Sequence, residues 1–227
     1  MVSSNENRRA MSPDTRIEIS DGVEWITSSV PINYPTAIEF MEDRVDQIYK
    51  NSCKETIWLL EHLPVYTAGT GANDSDLLNP KRFPIYYPGR GGQYTYHGPG
   101  QRVAYVMLDL SKRSYDIRLF VENLECWLIE ALSQFGILGE RRKNRIGIWV
   151  KDQTTKEKKI AAIGIRVRRW ITFHGVSINV NPTLSHFDGI VPCGIKGYGV
   201  TSLHHLGSNI DLLEFDLALK NAFTKYF

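Results

Sequence analysis

Apolar positions return at helical spacing in two long stretches of the chain. After Pro35, Ile38, Met41, Val45, Ile48 and Tyr49 recur every three or four residues, while Glu39, Glu42, Asp43 and Asp46 fill the other side. That pattern predicts an amphipathic helix with an acidic outer face. Residues 115–135 carry Ile117, Val121, Leu124, Leu128, Ala131, Leu132 and Phe135 at the same spacing, with Gly136 where a C-terminal cap belongs. This is the longest predicted helix. Strand-like runs occupy 16–26 (alternating), 56–60 (TIWLL, closed by Pro64), 103–110, 146–150, 159–167 and 170–180. The last three, joined by a charged turn at 151–158 and a tight Arg168-Arg169 connection, predict an antiparallel meander. Within 170–180, Ile171 and Phe173 point to the core. Gly175 is expected to shift the phase, so that Val176, Ile178 and Val180 follow inward with Ser177, Asn179 and Asn181 opposite. Ser208, three residues before Asp211, predicts a capping box opening a final helix to about residue 226.

Strands interleaved with a few helices and ending in a meander favour an α+β fold, a mixed β-sheet flanked by helices. The 227 residues, 42% of them apolar, suffice for one core, so a single domain over 15–227 is expected, preceded by a polar, disordered 1–14. Between 67 and 100 the chain is rich in Gly, Pro, Asn and Asp and reads as loop; a loop this long inside a compact domain is usually functional or disordered, and its aromatic content favours function.

Charge and cysteine content narrow the function. A formal balance of +2 does not by itself argue for nucleic acid or membrane surfaces. Three cysteines, Cys53, Cys126 and Cys193, without CxxC spacing argue against a disulfide framework and a structural zinc site. The leader lacks the apolar core of a secretory signal, and its Arg8 and Arg9 are offset by Glu6 and Asp14. No apolar run approaches a membrane span. A cytoplasmic protein without membrane or nucleic-acid partners is expected.

Four segments could carry chemistry. Arg90, Gly91, Gly92, Gln93, Tyr94, Thr95, Tyr96 and His97, followed by Gly98-Pro99-Gly100-Gln101, form a glycine-rich segment that reads either as a ligand-binding loop or as a hairpin. It lacks the GxxxxGK[ST] pattern of a phosphate-binding loop. Cys193 stands between Pro192 and Gly194 in a run from Ile190 to Ile195, which holds the thiol at a turn; it is either a small buried hydrophobe or a nucleophile. Cys126 on the long helix and Cys53 beside a strand read as structural. Lys159 opens the apolar run Ile160-Ala161-Ala162-Ile163-Gly164 and either projects into a pocket or snorkels to water. The fourth segment, Phe173 to Asn181, includes His174, as readily structural as catalytic. The histidines show no shared metal-ligand pattern.

In this order and together, the four segments resemble the lipoyl(octanoyl) transferase family, over about residues 59–203. The 34 residues between Lys159 and Cys193 also fit that family's pairing of a lysine with the acyl-accepting cysteine. The resemblance implies a fold similar to the catalytic domain of biotin and lipoate protein ligases and an octanoyl group moved from octanoyl-acyl carrier protein to a lysine of lipoyl domains. Those acceptors would be the lipoyl domains of 2-oxoacid dehydrogenases and the glycine cleavage H protein. No cofactor is implied, because a thioester donor is already activated. It further implies that Cys193 carries the acyl group as a thioester and that Lys159 supplies the adjacent cation and relays protons. Acyl binding is implied for Arg90 to His97, for Ala162, Ile163 and Gly164, and for Gly175, Val176 and Ser177. The last trio departs from the bulkier residue and alanine that many relatives carry, with modest reshaping of the pocket expected. Arg141, Arg142, Lys143, Arg145, Arg166, Arg168 and Arg169 could form a basic docking surface for acidic partners. Rival readings are an ATP-dependent lipoate ligase, a silent carrier-binding module and a cysteine thioesterase.

Overall fold

The computed structural model describes residues 15–152, 155–194 and 197–227. Residues 1–14, on which the expected disordered leader falls, and Ile195 of the cysteine segment lie outside the described residues.

A mixed sheet runs through the molecule in the order β1 (Arg16–Ser20), β2 (Val23–Thr27), β3 (Thr56–Leu60), β7 (Gln101–Met107), β10 (Ile171–Asn179), β9 (Glu157–Arg168) and β11 (Gly199–Val200), with β8 (Ile148–Lys151) also on β9. The alternating run at 16–26 is thus a hairpin, turned at Asp21-Gly22, both with positive φ. The meander of β8, β9 and β10 is antiparallel throughout. Its second turn is Arg169-Trp170, both left-handed, as two-residue hairpins require.

Helix α1 (Tyr34–Tyr49), with Pro35 in its first turn, buries Phe40, Met41, Val45 and Ile48 on one face of the sheet against Trp58, Tyr105 and Phe173. Helices α2 (Ile117–Ser133) and α3 (Leu212–Phe223) cover the other face, where Leu124, Trp127 and Phe215 meet Ile57, Ala104 and Val176. The α2 start is capped by Asp116, and the chain leaves its end through left-handed Gly136. The capping box of α3 is formed by Asp211 and Glu214, each accepting the other's backbone N–H at 2.8 Å, so the helix begins one turn later than Ser208 predicts.

Two expectations are corrected by the sheet. Gly175 shifts no phase: β10 pairs with β9 without a break from Ile171↔Arg168 to Ile178↔Ala161. Ile171 and Phe173 face α1 while Val176 and Ile178 face α2 and α3, because helices cover both sides of the strand. The segment at 67–100 holds strands as well as loops. β4 (Val65–Ala68), β5 (Ile85–Tyr86) and β6 (Tyr94–His97) make a second sheet, which with Phe187 and Ile190 encloses a small aromatic core.

Candidate active site

A cavity of about 320 Å³ lies between the large sheet and the glycine-rich segment. It is near the lower end of the ~300–1,000 Å³ typical of small-molecule pockets, a size suited to a narrow chain.

β9 supplies one wall, and how it does so depends on a bulge. Ala161 and Ile163 belong to the core under α2, so strict alternation would turn Lys159 into that core as well. Instead Ile148 pairs with Ala161 and Trp149 with Lys159, leaving Ile160 as an extra residue. Ile160 joins the core, and Lys159 emerges with Ala162 and Gly164 on the cavity. There the buried Lys159 ammonium donates to the Ile146 carbonyl at 2.9 Å and lies 4.8 Å from the Trp149 ring centre. From β10, Gly175, Val176 and Ser177 line the same space, as does Ile163.

The glycine-rich segment is held by Arg90. Its guanidinium donates to the Thr67 carbonyl at 3.0 Å, the Thr67 hydroxyl at 2.6 Å, the Gln93 carbonyl at 3.1 Å and the Gly91 carbonyl at 2.9 Å. Gly91 N–H in turn donates to the Ile165 carbonyl of β9 at 2.9 Å, which docks the segment on the large sheet. All four Arg90 acceptors are neutral, so its charge is not cancelled by them. Burial lowers the guanidinium from its ordinary value, and Tyr34, Cys193 and Tyr105 oppose that shift.

Arg90, Gly91, Gly92, Gln93, Thr95 and His97 line the cavity. Tyr94 and Tyr96 do not: strand alternation in β6 turns both into the aromatic core beneath the second sheet, where the Tyr96 hydroxyl meets His186 Nδ1 at 2.8 Å.

Cys193 sits in a tight turn, Pro192–Gly194, with left-handed φ of 56°, a conformation that costs energy for a residue with a Cβ. Gly194 follows at φ 64°, and a Cβ there would come 1.7 Å from Gln93 Oε1. The turn is thus packed directly on the glycine-rich segment. Half-buried Cys193 lines the same cavity as Lys159, and the two also share a small adjoining pocket with Thr95, Ala162 and Ser177. Cys53 and Cys126 line neither.

Two further cavity residues, Tyr34 and Tyr105, carry no signal in the sequence. Tyr34 from the start of α1 and Tyr105 from β7 meet His97 and His174 at one end. His97 Nδ1–H donates to Gln101 Oε1 at 2.7 Å, and its ring stacks on Tyr34 at 6.2 Å. Behind them His62 donates from Nδ1 to the Ile32 carbonyl and accepts the Tyr105 hydroxyl at 2.6 Å. Burial, before any neighbouring charge, lowers His62 to about 4 and His97 and His174 to about 3, so all three are neutral at pH 7. His174 has φ of 60°, which lays its ring against Phe173 and Tyr105 and leaves Nδ1 without a partner.

The basic residues expected to form one docking surface are divided and largely neutralised. Arg141 pairs with Glu122 and Glu125 of α2, and Arg142 and Arg145 share Glu157. Arg168 and Arg169 reach Asp46 of α1, on the opposite side of the sheet. Among the described residues no helix is long and apolar enough to cross a membrane.

A mixed sheet with helices on both faces is the fold of lipoate protein ligases. A bipartite ligase from Thermoplasma acidophilum superposes with a TM-score of 0.63 at 15% identity, over 86% of this chain and 81% of that one. A lipoate-protein ligase A solved with ATP gives 0.63 at 16%, over 88% and 84%. The chain belongs to the family described as the lipoyl protein ligase A/B catalytic domain, whose model matches residues 33–224. Its curated relatives include an octanoyltransferase of Jannaschia sp. (strain CCS1), 56% identical over 90% of this chain and 99% of that protein. Another, from Rhodospirillum rubrum, is 58% identical over 90% and 95%.

Proposed function

We propose that this chain is an octanoyltransferase, which takes an octanoyl group from octanoyl-acyl carrier protein and delivers it to the lysine side chain of lipoyl domains in the cytoplasm. The acceptors are those of 2-oxoacid dehydrogenases and the glycine cleavage H protein. The observation that carries the reading is that Cys193 and Lys159 converge on one cavity narrow enough for an acyl chain. Relatives sharing more than half of its residues carry the same activity in their names.

In the first step Cys193 loses its proton, its thiolate attacks the donor thioester carbonyl, the carbon–sulfur bond to the carrier breaks, and the carrier's sulfur leaves as a thiol with the proton that Cys193 gave up. In the second, the neutral amine of the acceptor lysine attacks the enzyme thioester, an amide forms, Cys193 leaves as thiolate, and Lys159 relays the amine's proton. An unperturbed thiol, with a pKa near 8.5, is only a few per cent ionised at neutral pH, and nearby cations raise that share. Lys159 is one such cation. Arg90, buried and bonded only to neutral acceptors, is a second. The remaining cavity wall, with Ala162, Ile163, Gly164, Gly175, Val176 and Ser177 facing Gly91, Gly92, Gln93, Thr95 and His97, holds the acyl chain.

The test is intact mass spectrometry after incubation with octanoyl carrier protein and no nucleotide. Wild type gains a hydroxylamine-sensitive octanoyl adduct and Cys193→Ala does not. An unmodified wild type that instead lipoylates a lipoyl domain from free lipoate and ATP would make the chain a ligase.

A further inference from the structure

The mechanism places a buried lysine at the centre of the site, and what holds that lysine is unusual. The Lys159 ammonium donates to the carbonyl of Ile146 at 2.9 Å. The other end of that same peptide group, the Gly147 N–H, donates to Glu125 Oε1 at 3.1 Å. One peptide unit therefore joins the ammonium to a carboxylate, with its dipole aligned to favour positive charge at the lysine and negative charge at the glutamate. Glu125 is 5% exposed, although it sits on α2, and its second oxygen accepts from Arg141 Nε at 2.7 Å. Gly147 adopts φ of 114°, and a Cβ there would lie 2.6 Å from the Ala161 carbonyl and 3.4 Å from Lys159 Nζ. Only glycine lets the bridging peptide approach the lysine this closely.

We propose that Glu125 is a positioning residue for Lys159, acting through the Ile146–Gly147 peptide to fix the ammonium in the cavity and sustain its charge. The inference rests on the octanoyltransferase reading and deepens it. Through this hydrogen-bonded chain, a carboxylate outside the cavity holds in place a cation inside it. Other charges near the relay are few. Helix α2 adds Glu122 and Cys126, the connection before β8 adds Arg141 and Arg145, and β9 adds Glu157. Across the cavity stand Arg90, His174 and Cys193, and Tyr198 lies beyond Trp149.

The test compares Glu125→Gln, Glu125→Asp, Glu122→Gln and Lys159→Ala in steady-state transfer from octanoyl carrier protein to a lipoyl domain, with kcat measured across pH. Glu125→Gln keeps an oxygen for Gly147 but loses the charge. Its kcat falls about tenfold at unchanged KM, and the basic limb of its profile moves about one pH unit toward acid. Glu125→Asp, which keeps the charge one methylene farther away, moves the same limb by less. Glu122→Gln, which removes another carboxylate from Arg141, moves neither. Wild-type kcat and profile in Glu125→Gln, or a lowered kcat with an unmoved profile in both Glu125 variants, overturns the proposal. Lys159→Ala separates the two levels: if it transfers at the wild-type rate, it is the role of Lys159 that fails.

Discussion

Arg90 and Thr67 are joined twice by one guanidinium nitrogen, which donates to the threonine carbonyl at 3.0 Å and to its hydroxyl at 2.6 Å. The pair fastens the glycine-rich segment to β4 while leaving the arginine's charge uncancelled beside the cavity. Replacing it with lysine keeps a cation but loses the fork. Arg90→Lys is expected to lose about 2–4 kcal/mol of stability, from buried acceptors left unmet. Transfer should fall at least about tenfold. Urea unfolding and a transfer assay read the two effects; a variant as stable as wild type would mean that the fork does not hold the segment.

The neutral histidines make the fold sensitive to mild acid. An unfolded histidine takes up a proton near pH 6.5, whereas His62, His97 and His174 resist to about 4, 3 and 3. The unfolded state thus binds more protons as pH falls, and stability present above about 6.5 is lost toward those folded values. Each histidine accounts for about 1.4 kcal/mol between pH 7.5 and 5.5. His174→Asn is the probe, since asparagine tolerates a φ of 60° and, although the imidazole's bond to the Pro88 backbone is lost, that loss is the same at both pH values. Its pH-dependent loss, from urea midpoints at the two pH values, should be smaller than wild type's by that amount. Equal losses would show that His174 titrates normally in the fold.

At Gly194 the added methyl of Gly194→Ala meets Gln93 Oε1 at 1.7 Å in a left-handed backbone. The glutamine must leave or the turn must move, and either re-aims Cys193. Stability is expected to drop by about 1–2 kcal/mol and octanoyl adduct formation to slow by at least about a hundredfold. Adduct formation at the wild-type rate, followed by mass spectrometry, would show that the turn's packing on Gln93 is dispensable.

The three thiols should separate under a neutral alkylating reagent. Burial raises the Cys53 thiol, which donates to the Arg44 carbonyl, so it reacts slowly at pH 7. Cys193, on the cavity that Arg90 and Lys159 also line, should react first, and octanoyl carrier protein should protect it alone. Cys53→Ala and Cys126→Ala should retain transfer. Peptide mapping after brief iodoacetamide treatment decides; labelling of Cys53 ahead of Cys193 would contradict the ordering.

The helices and the longer strands of the large sheet were legible because their apolar periods extend over enough residues to be counted, as in α1 and α2, whereas two-residue β11 was not. The second sheet was not: β5 has two residues and β4 and β6 four each, too short for a period, in a stretch crowded with glycine and proline. Cys193 and Lys159 stood out by their flanking residues, whereas Tyr34 and Tyr105 enter the cavity only because the sheet and α1 bring distant segments together. Glu125 carried no local signal, since a glutamate on an amphipathic helix ordinarily faces water. The side of β10 on which each residue lies was misjudged because one covered face was assumed where there are two.

The extra residue in β9 works as a change of parity. Downstream of Ile160 the odd-numbered positions Ala161 and Ile163 serve the core and the even ones, Ala162 and Gly164, serve the cavity; upstream, odd-numbered Lys159 serves the cavity. Adding one residue between Lys159 and Ile160 would leave every apolar side chain downstream in place and would turn the lysine from the cavity into the hydrophobic interior. A protein altered in this way would lose its chemistry through arithmetic, with its full set of site residues still present in the sequence.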